Sequence, residues 1–366
     1  GASGSVMAVA HYGSNYMVSL RYRLKDLKVQ AVEQAFQAEG LNFPAGSFLI
    51  PVGQGDAQAR AKTAVEQLGL TAAVLASAPA GPSHDVDLPR LAVYSTWGNT
   101  QEVGWVRHAL DEFGVTYDLI YKEQVRKGDL RAKYDVIVMA AQNITRATVL
   151  QAAAARPQPY QKSDKYKFLG MYGETPDMSG GFGQEGVDAF AKFLDGGGTL
   201  IAAGAAIRFP IDFGWAHTID AEPISGVTAQ RPIVQAEIGR PEHPVFYGYA
   251  DKTLPMKYVG GNTLRVGLAD QGNILARYVG GDSSVLSGAM TGADALRQKV
   301  IAADIPNANN GKGRVILFAN NPIYRWQNHG EFNMVFNAIL NWAYVPPAPP
   351  ATPVPATAGR GGRGGQ

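Results

Sequence analysis

Five short apolar runs, separated by stretches with helical character, constrain this chain more than any other feature of it. They lie in "RLAVYSTW" (90–97), "VTYDLIY" (115–121), "YDVIVMAA" (134–141), "GTLIAAG" (198–204) and "GRVILFAN" (313–320). In most of them apolar residues follow one another without the polar alternation of a half-exposed strand, so both faces need cover. The intervening stretches supply it. Val103, Val106, Leu110 and Phe113 fall on one face of a helix that Gly114 ends, while "EGVDAFAKFLDGG" (185–197) and "GEFNMVFNAILNWAY" (330–344) read as two more helices. Strands alternating with helices imply a doubly wound, mostly parallel sheet. Right-handed crossovers then put the loops after the strands on one edge, where such sheets bind ligands.

The rest of the chain divides around that sheet. Residues 1–85 read as a small α/β unit, with a helix from Tyr16 to Asp26 and strands in "KVQAVEQAF" and "GSFLIPV". A second helix in "DAQARAKTAVEQLGL" is stopped by Gly69, and the turn-rich Ser77–Pro89 marks the boundary. Residues 86–345 form the main domain, with an antiparallel patch inserted at 205–310, where "TLRVGL", "NILARYV" and "SVLSGAM" read as short strands. Residues 346–366, rich in Pro, Ala and Gly, cannot bury a core and read as a disordered tail. The expected class is α/β, flavodoxin-like or amidotransferase-like, with a small N-terminal α/β unit and an inserted antiparallel patch.

Composition removes several functions. Of 366 residues only 17% are charged and the net charge is +2, which argues against a nucleic-acid partner held by bulk electrostatics. Two RGG steps in the tail are too short to alter that expectation. The absence of cysteine excludes disulfides, thiolate zinc sites and a thiol nucleophile. No run reaches the ~18 apolar residues of a membrane span. The opening "GASGSVMAVAHYGSNYM" has neither the basic start nor the apolar core of a signal peptide. It also lacks an initiator Met, as a processed product or a segment of a longer chain would.

Four stretches could carry chemistry. Ser95-Thr96-Trp97-Gly98-Asn99-Thr100 sits between a strand and a helix, where backbone N–H groups favour a phosphate, as in the FMN loop of flavodoxins. Trp97 would crowd that phosphate. The plainer reading is a helix start with Asn99 as N-cap and Glu102 completing a capping box. Among the six histidines, His84-x-x-Asp87 and His217-x-x-Asp220 are weak pairs, and none has the spacing of a zinc peptidase site. In "GGGTLIAAGAAIRF" a buried strand runs into a tight turn of small residues, the shape of a nucleophile elbow. An elbow puts the nucleophile at Ala206, or at Ala205 with a one-residue offset, and neither side chain can attack. His329-Gly-Glu331 has the His-x-Glu spacing that orients an imidazole in a cysteine triad, or else begins the final helix. Tyr324, Arg325, Trp326 and Gln327, just before it, suit a carboxylate or sugar ligand, or packing against a neighbour.

Three passages resemble a known group: "YSTWGNTQEVGWVRHALDEFGVTYDLIY", "FLDGGGTLIAAG" and "GRVILFANNPIYRWQNHGEFNMVFNAILNW". They look like the C-terminal half of large bacterial zinc carboxypeptidases of the carboxypeptidase A-like family, which is similar to class I glutamine amidotransferases. The likeness extends over residues 5–345. It implies a zinc peptidase domain outside this chain as partner, no zinc or flavin within it, and a secreted or periplasmic location. The amidotransferase pattern carries over only to Ala206 and to His329 and Glu331, and without cysteine it implies no glutaminase activity.

The resulting expectation is a non-catalytic accessory or binding domain, taking a small-molecule, peptide or protein partner through Thr96, Trp97, Asn99, Arg325, Trp326 and Gln327. The alternatives are part of an active metallocarboxypeptidase whose zinc domain is elsewhere, an FMN-binding flavodoxin-like protein, and a hydrolase working without a thiol.

Overall fold

The computed structural model describes residues 5–346, so the tail expected over 346–366 lies, from residue 347 onward, outside the described residues. Five parallel strands form the centre: Asp118–Ile120, Leu91–Tyr94, Val136–Met139, Thr199–Ala203 and Gly313–Phe318, in that spatial order. Numbered along the chain the order is 2-1-3-4-5, the flavodoxin-like arrangement, whose direction of winding switches between strands one and three. The fold class is the expected one.

The buried runs are split between two cores by the two-residue period of a strand. Val136 and Val138 point into one hydrophobic cluster with Val103, Val106 and Leu110, while Ile137 and Met139 point into another with Phe190, Phe193 and Leu194. The helices Gln101–Glu112 and Gly183–Asp195 therefore cover opposite faces.

The antiparallel patch is present between the fourth and fifth parallel strands in sequence, and it is fused to the main sheet. Val300–Ala308 pairs antiparallel with Gly313–Phe318, then Ile274–Tyr278, Ile233–Ile238 and Thr253–Lys257 follow outward. The longest of these, Val300–Ala308, ends the patch and returns the chain to the centre.

Residues 6–85 build a separate antiparallel sheet, ordered Ala72–Leu75, Val6–Val9, Phe48–Pro51, Gln30–Val32, Ser83–Asp85. "KVQAVEQAF" is two strands, because Phe36–Ala38 turns away to pair with Leu41–Phe43. This unit is locked to the last helix, Phe332–Leu340, by buried polar contacts. His11 Nε2 lies 3.2 Å from Asn337 Oδ1, and the Asn333 amide donates to the Gly13 carbonyl at 2.5 Å.

The helix after the first strand starts differently from the expectation. Asn99 has a left-handed backbone (φ 52°) and is not the N-cap; Thr100 is, without a side-chain cap bond. The reason is Gln142, whose amide holds the Asn99 carbonyl (3.1 Å) and so shapes the turn before the helix can begin. Glu102 accepts from Asn321 Nδ2 at 2.6 Å instead of closing a capping box.

Candidate functional site

Loops after the parallel strands meet on one edge, where several cavities open, and two of them take in the residues singled out from the sequence. The first, of about 440 Å³, lies at the switch between strands one and three. Thr96 and Trp97 form one wall and the segment after residue 150 forms the opposite one, through Gln151, Ser179 and Gly180. The Thr96 loop is closed on itself. Ser95 Oγ donates to the Thr96 carbonyl (2.8 Å), Thr96 Oγ1 donates to the Gly98 carbonyl (2.6 Å), and Gln142 bonds Thr96 from behind. Both hydroxyl protons are thus engaged within the loop.

Trp97 lies flat on Tyr121, with ring centroids 3.8 Å apart and planes 6° apart, and its Nε1–H points at the Glu123 carboxylate (3.0 Å). One face of the Trp97 ring and both hydroxyl protons of the loop are thus taken up by contacts within the protein. Lys122, next to Tyr121, is 6% exposed and donates to the Ser179 carbonyl. It has no carboxylate within ion-pair distance among the described residues, and burial lowers its pKa.

The second cavity, of about 280 Å³, lies over the turn after the fourth parallel strand. Thr199–Ala203 runs directly into a short helical turn, Gly204–Ile207. The residue with left-handed backbone is Gly204 (φ 53°), one position before the pair that the sequence pointed to. A Cβ on Gly204 would come within 2.6 Å of Ala141 Cβ, so the bend requires glycine. Ala205 is exposed at the cavity floor and Ala206 is fully buried.

The aromatic-polar cluster divides between locations. Tyr324 and Arg325 line the elbow cavity together with Arg231 from the antiparallel patch. Trp326 packs away from it, 4.5 Å from the His108 ring and 6.0 Å from Phe113, covering the Gln101–Glu112 helix. Gln327 is exposed beside it.

His329 and Glu331 do not form an orienting pair. The His329 Nε2 lies 3.3 Å from the Trp326 carbonyl, and the ring stacks on Phe332 at 4.6 Å. Glu331 is buried and accepts from Lys257 N–H (2.6 Å), Asn328 Nδ2 (2.5 Å) and Asn320 Nδ2 (2.7 Å). Burial raises its pKa to about 8 against the pull of those donors. Among the described residues no group of three His, Asp or Glu side chains could hold a metal ion. His217 faces Asp270 (3.3 Å) and His84 faces Glu33 (3.3 Å).

Sequence reading missed Lys122, Gln142 and Arg231. The first two follow strand ends, so the edge rule alone could have found them. Arg231 lies in the irregular middle, where no local signal pointed to the site.

No protein-family model matches the chain, and no curated protein matches it. Solved structures do. A GMP synthase subunit protein from Thermoplasma acidophilum is 11% identical, covers 70% of this chain and 96% of its own, and superposes with a TM-score of 0.39. A ThuA-like protein from Parabacteroides merdae is 12% identical, over 69% of this chain and 88% of its own, with a TM-score of 0.41. A Bacillus circulans beta-galactosidase is 12% identical, over 69% of this chain and 31% of its own, with a TM-score of 0.34. At such similarity they carry no argument about function, and the fold class stands on the strand order.

The expected kinship with zinc carboxypeptidases is corrected. No match supports it, and these solved structures are of other kinds. The phrases that suggested it are largely buried strands and covering helices, which any doubly wound domain needs. No helix among the described residues is long and apolar enough to cross a membrane.

Proposed function

We propose that the chain is a non-catalytic module that binds a small molecule or peptide at the C-terminal edge of its parallel strands. One observation carries this reading: the turn that would present a nucleophile holds Gly204, Ala205 and Ala206, in a chain without cysteine. None can attack a carbonyl, and Gly204 has no space for a side chain that could. His329 is occupied with Trp326 and has no nucleophile to serve.

The switch-point cavity supports the binding half of the proposal. Its volume, about 440 Å³, falls within the range of small-molecule sites. Lys122 supplies a buried ammonium that donates to the Ser179 carbonyl and makes no ion pair among the described residues, so a ligand acceptor could take its remaining protons.

Two assays test the halves. Glutamine hydrolysis and activated-ester cleavage should not exceed buffer and should be unchanged in His329→Ala; turnover that this substitution abolishes overturns the non-catalytic reading. A panel of nucleotides, short peptides and small carboxylates is screened by melting temperature and Trp fluorescence. A hit that Arg231→Gln and Arg325→Gln leave intact should be lost in Lys122→Met, and such a hit that survives Lys122→Met refutes the switch-point assignment.

A further inference from the structure

The elbow cavity contains more positive charge than its surroundings neutralise. Arg231 and Arg325 flank the ring of Tyr324, with guanidinium carbons 5.8 and 5.1 Å from its centroid. Neither makes a hydrogen bond or ion pair with another described residue, and Arg325 Nε is buried without a partner. The Tyr324 hydroxyl is also buried without a partner, on a residue only 6% exposed. Glu102 is the carboxylate in the cavity wall, and Asn321 Nδ2 already occupies one of its oxygens at 2.6 Å.

Arg231 is exposed and Arg325 half-buried, and together over one ring they concentrate positive charge that a bound anion would offset. A buried hydroxyl without a partner is costly, and the Tyr324 hydroxyl beside the unpartnered Arg325 Nε is poised for an acceptor. The backbone agrees. Arg231 (φ 52°) and Arg325 (φ 47°) both occupy the left-handed region, a cost that surrounding structure must sustain at two non-glycine positions. The floor, Gly204 and Ala205, and the rim, Gly260 and Gly261, present no bulk to an entering group.

We propose that the elbow cavity is a binding site for a small oxyanion, a carboxylate or phosphate group. Arg231 and Arg325 grip its oxygens and the Tyr324 hydroxyl donates to it. A planar guanidinium fork matches either group with two parallel N–H donors. The cavity, of about 280 Å³, has room for one such group. The site is separate from the Lys122 cavity, so its failure leaves the switch-point reading untouched, and the reverse also holds.

The test is calorimetric titration of the full chain with inorganic phosphate and, separately, with succinate, at constant ionic strength in chloride. The expected result is saturable one-to-one binding of at least one probe, and which one binds tells phosphate from carboxylate. Arg325→Gln and Arg231→Gln should each weaken it by about tenfold or more, the loss of one charge-assisted contact. Tyr324→Phe, which keeps the ring and its packing, should weaken it by about fivefold. Absence of saturable binding with both probes overturns the proposal. So does binding that survives both arginine substitutions in variants whose circular dichroism matches the wild type.

Discussion

Glu331 gives the chain a pH dependence that can be worked out in sign and size. Its carboxyl is fully buried, and burial pushes its pKa from an ordinary 4.5 up to about 8. Between those values the folded protein keeps a proton that the unfolded chain has released. The stabilisation is therefore complete below pH 4.5 and is lost as pH rises through about 8. The slope is about 1.4 kcal/mol per pH unit, on the order of 5 kcal/mol over the whole window. His11 and His243 act in the opposite sense. Both are buried neutral, with His11 lowered to about 4 from 6.5, so their contribution is present above 6.5 and lost as pH falls through the folded value. Below pH 6.5 the histidines oppose Glu331; from 6.5 to 8 it acts without them. Urea denaturation across that interval should show wild-type stability falling by about 2 kcal/mol. In Glu331→Gln, which carries no charge at any pH, that fall should vanish, whatever the offset between the two curves. Parallel wild-type and Glu331→Gln curves would refute the reasoning. They would mean that the Lys257, Asn320 and Asn328 donors keep the carboxylate ionised in the fold.

Asp304→Asn should destabilise the protein by about 3–5 kcal/mol in chemical denaturation, because Arg314, which it holds at 2.7 and 2.9 Å, is itself buried and would keep an unpaired charge. Asp220→Asn, at the exposed pair with Arg265, should cost under about 1 kcal/mol in the same assay. Gly204→Ala should lower stability by about 1–3 kcal/mol through its left-handed backbone and its approach to Ala141; an unchanged melting temperature would show that the bend tolerates a side chain.

Much of the fold was legible locally. The five central runs are strands, and the face carrying Val103, Val106 and Leu110 is buried as its spacing requires. Other points were not legible. The start of the Gln101–Glu112 helix was misplaced because Gln142, distant in sequence, dictates the conformation of Asn99. Ile233–Ile238 and Val300–Ala308 went unread although both are long, since their partners across the sheet, rather than their own pattern, hold them in place. Of the residues expected to form one contact surface, Thr96 and Trp97 line the switch-point cavity, Arg325 lines the elbow cavity and Trp326 packs over a helix.

From the sequence alone came the layered α/β architecture and the small residues Gly204, Ala205 and Ala206 at the turn after the fourth strand, because strand periodicity and residue chemistry are properties of short stretches. Tertiary structure alone decided that Arg231 and Arg325 share a cavity with an unpartnered Tyr324 hydroxyl, and that Trp97 covers its face with Tyr121. Those contacts join segments far apart in the chain, and they exist only once the strand order and the burial of both cores have set the loops side by side.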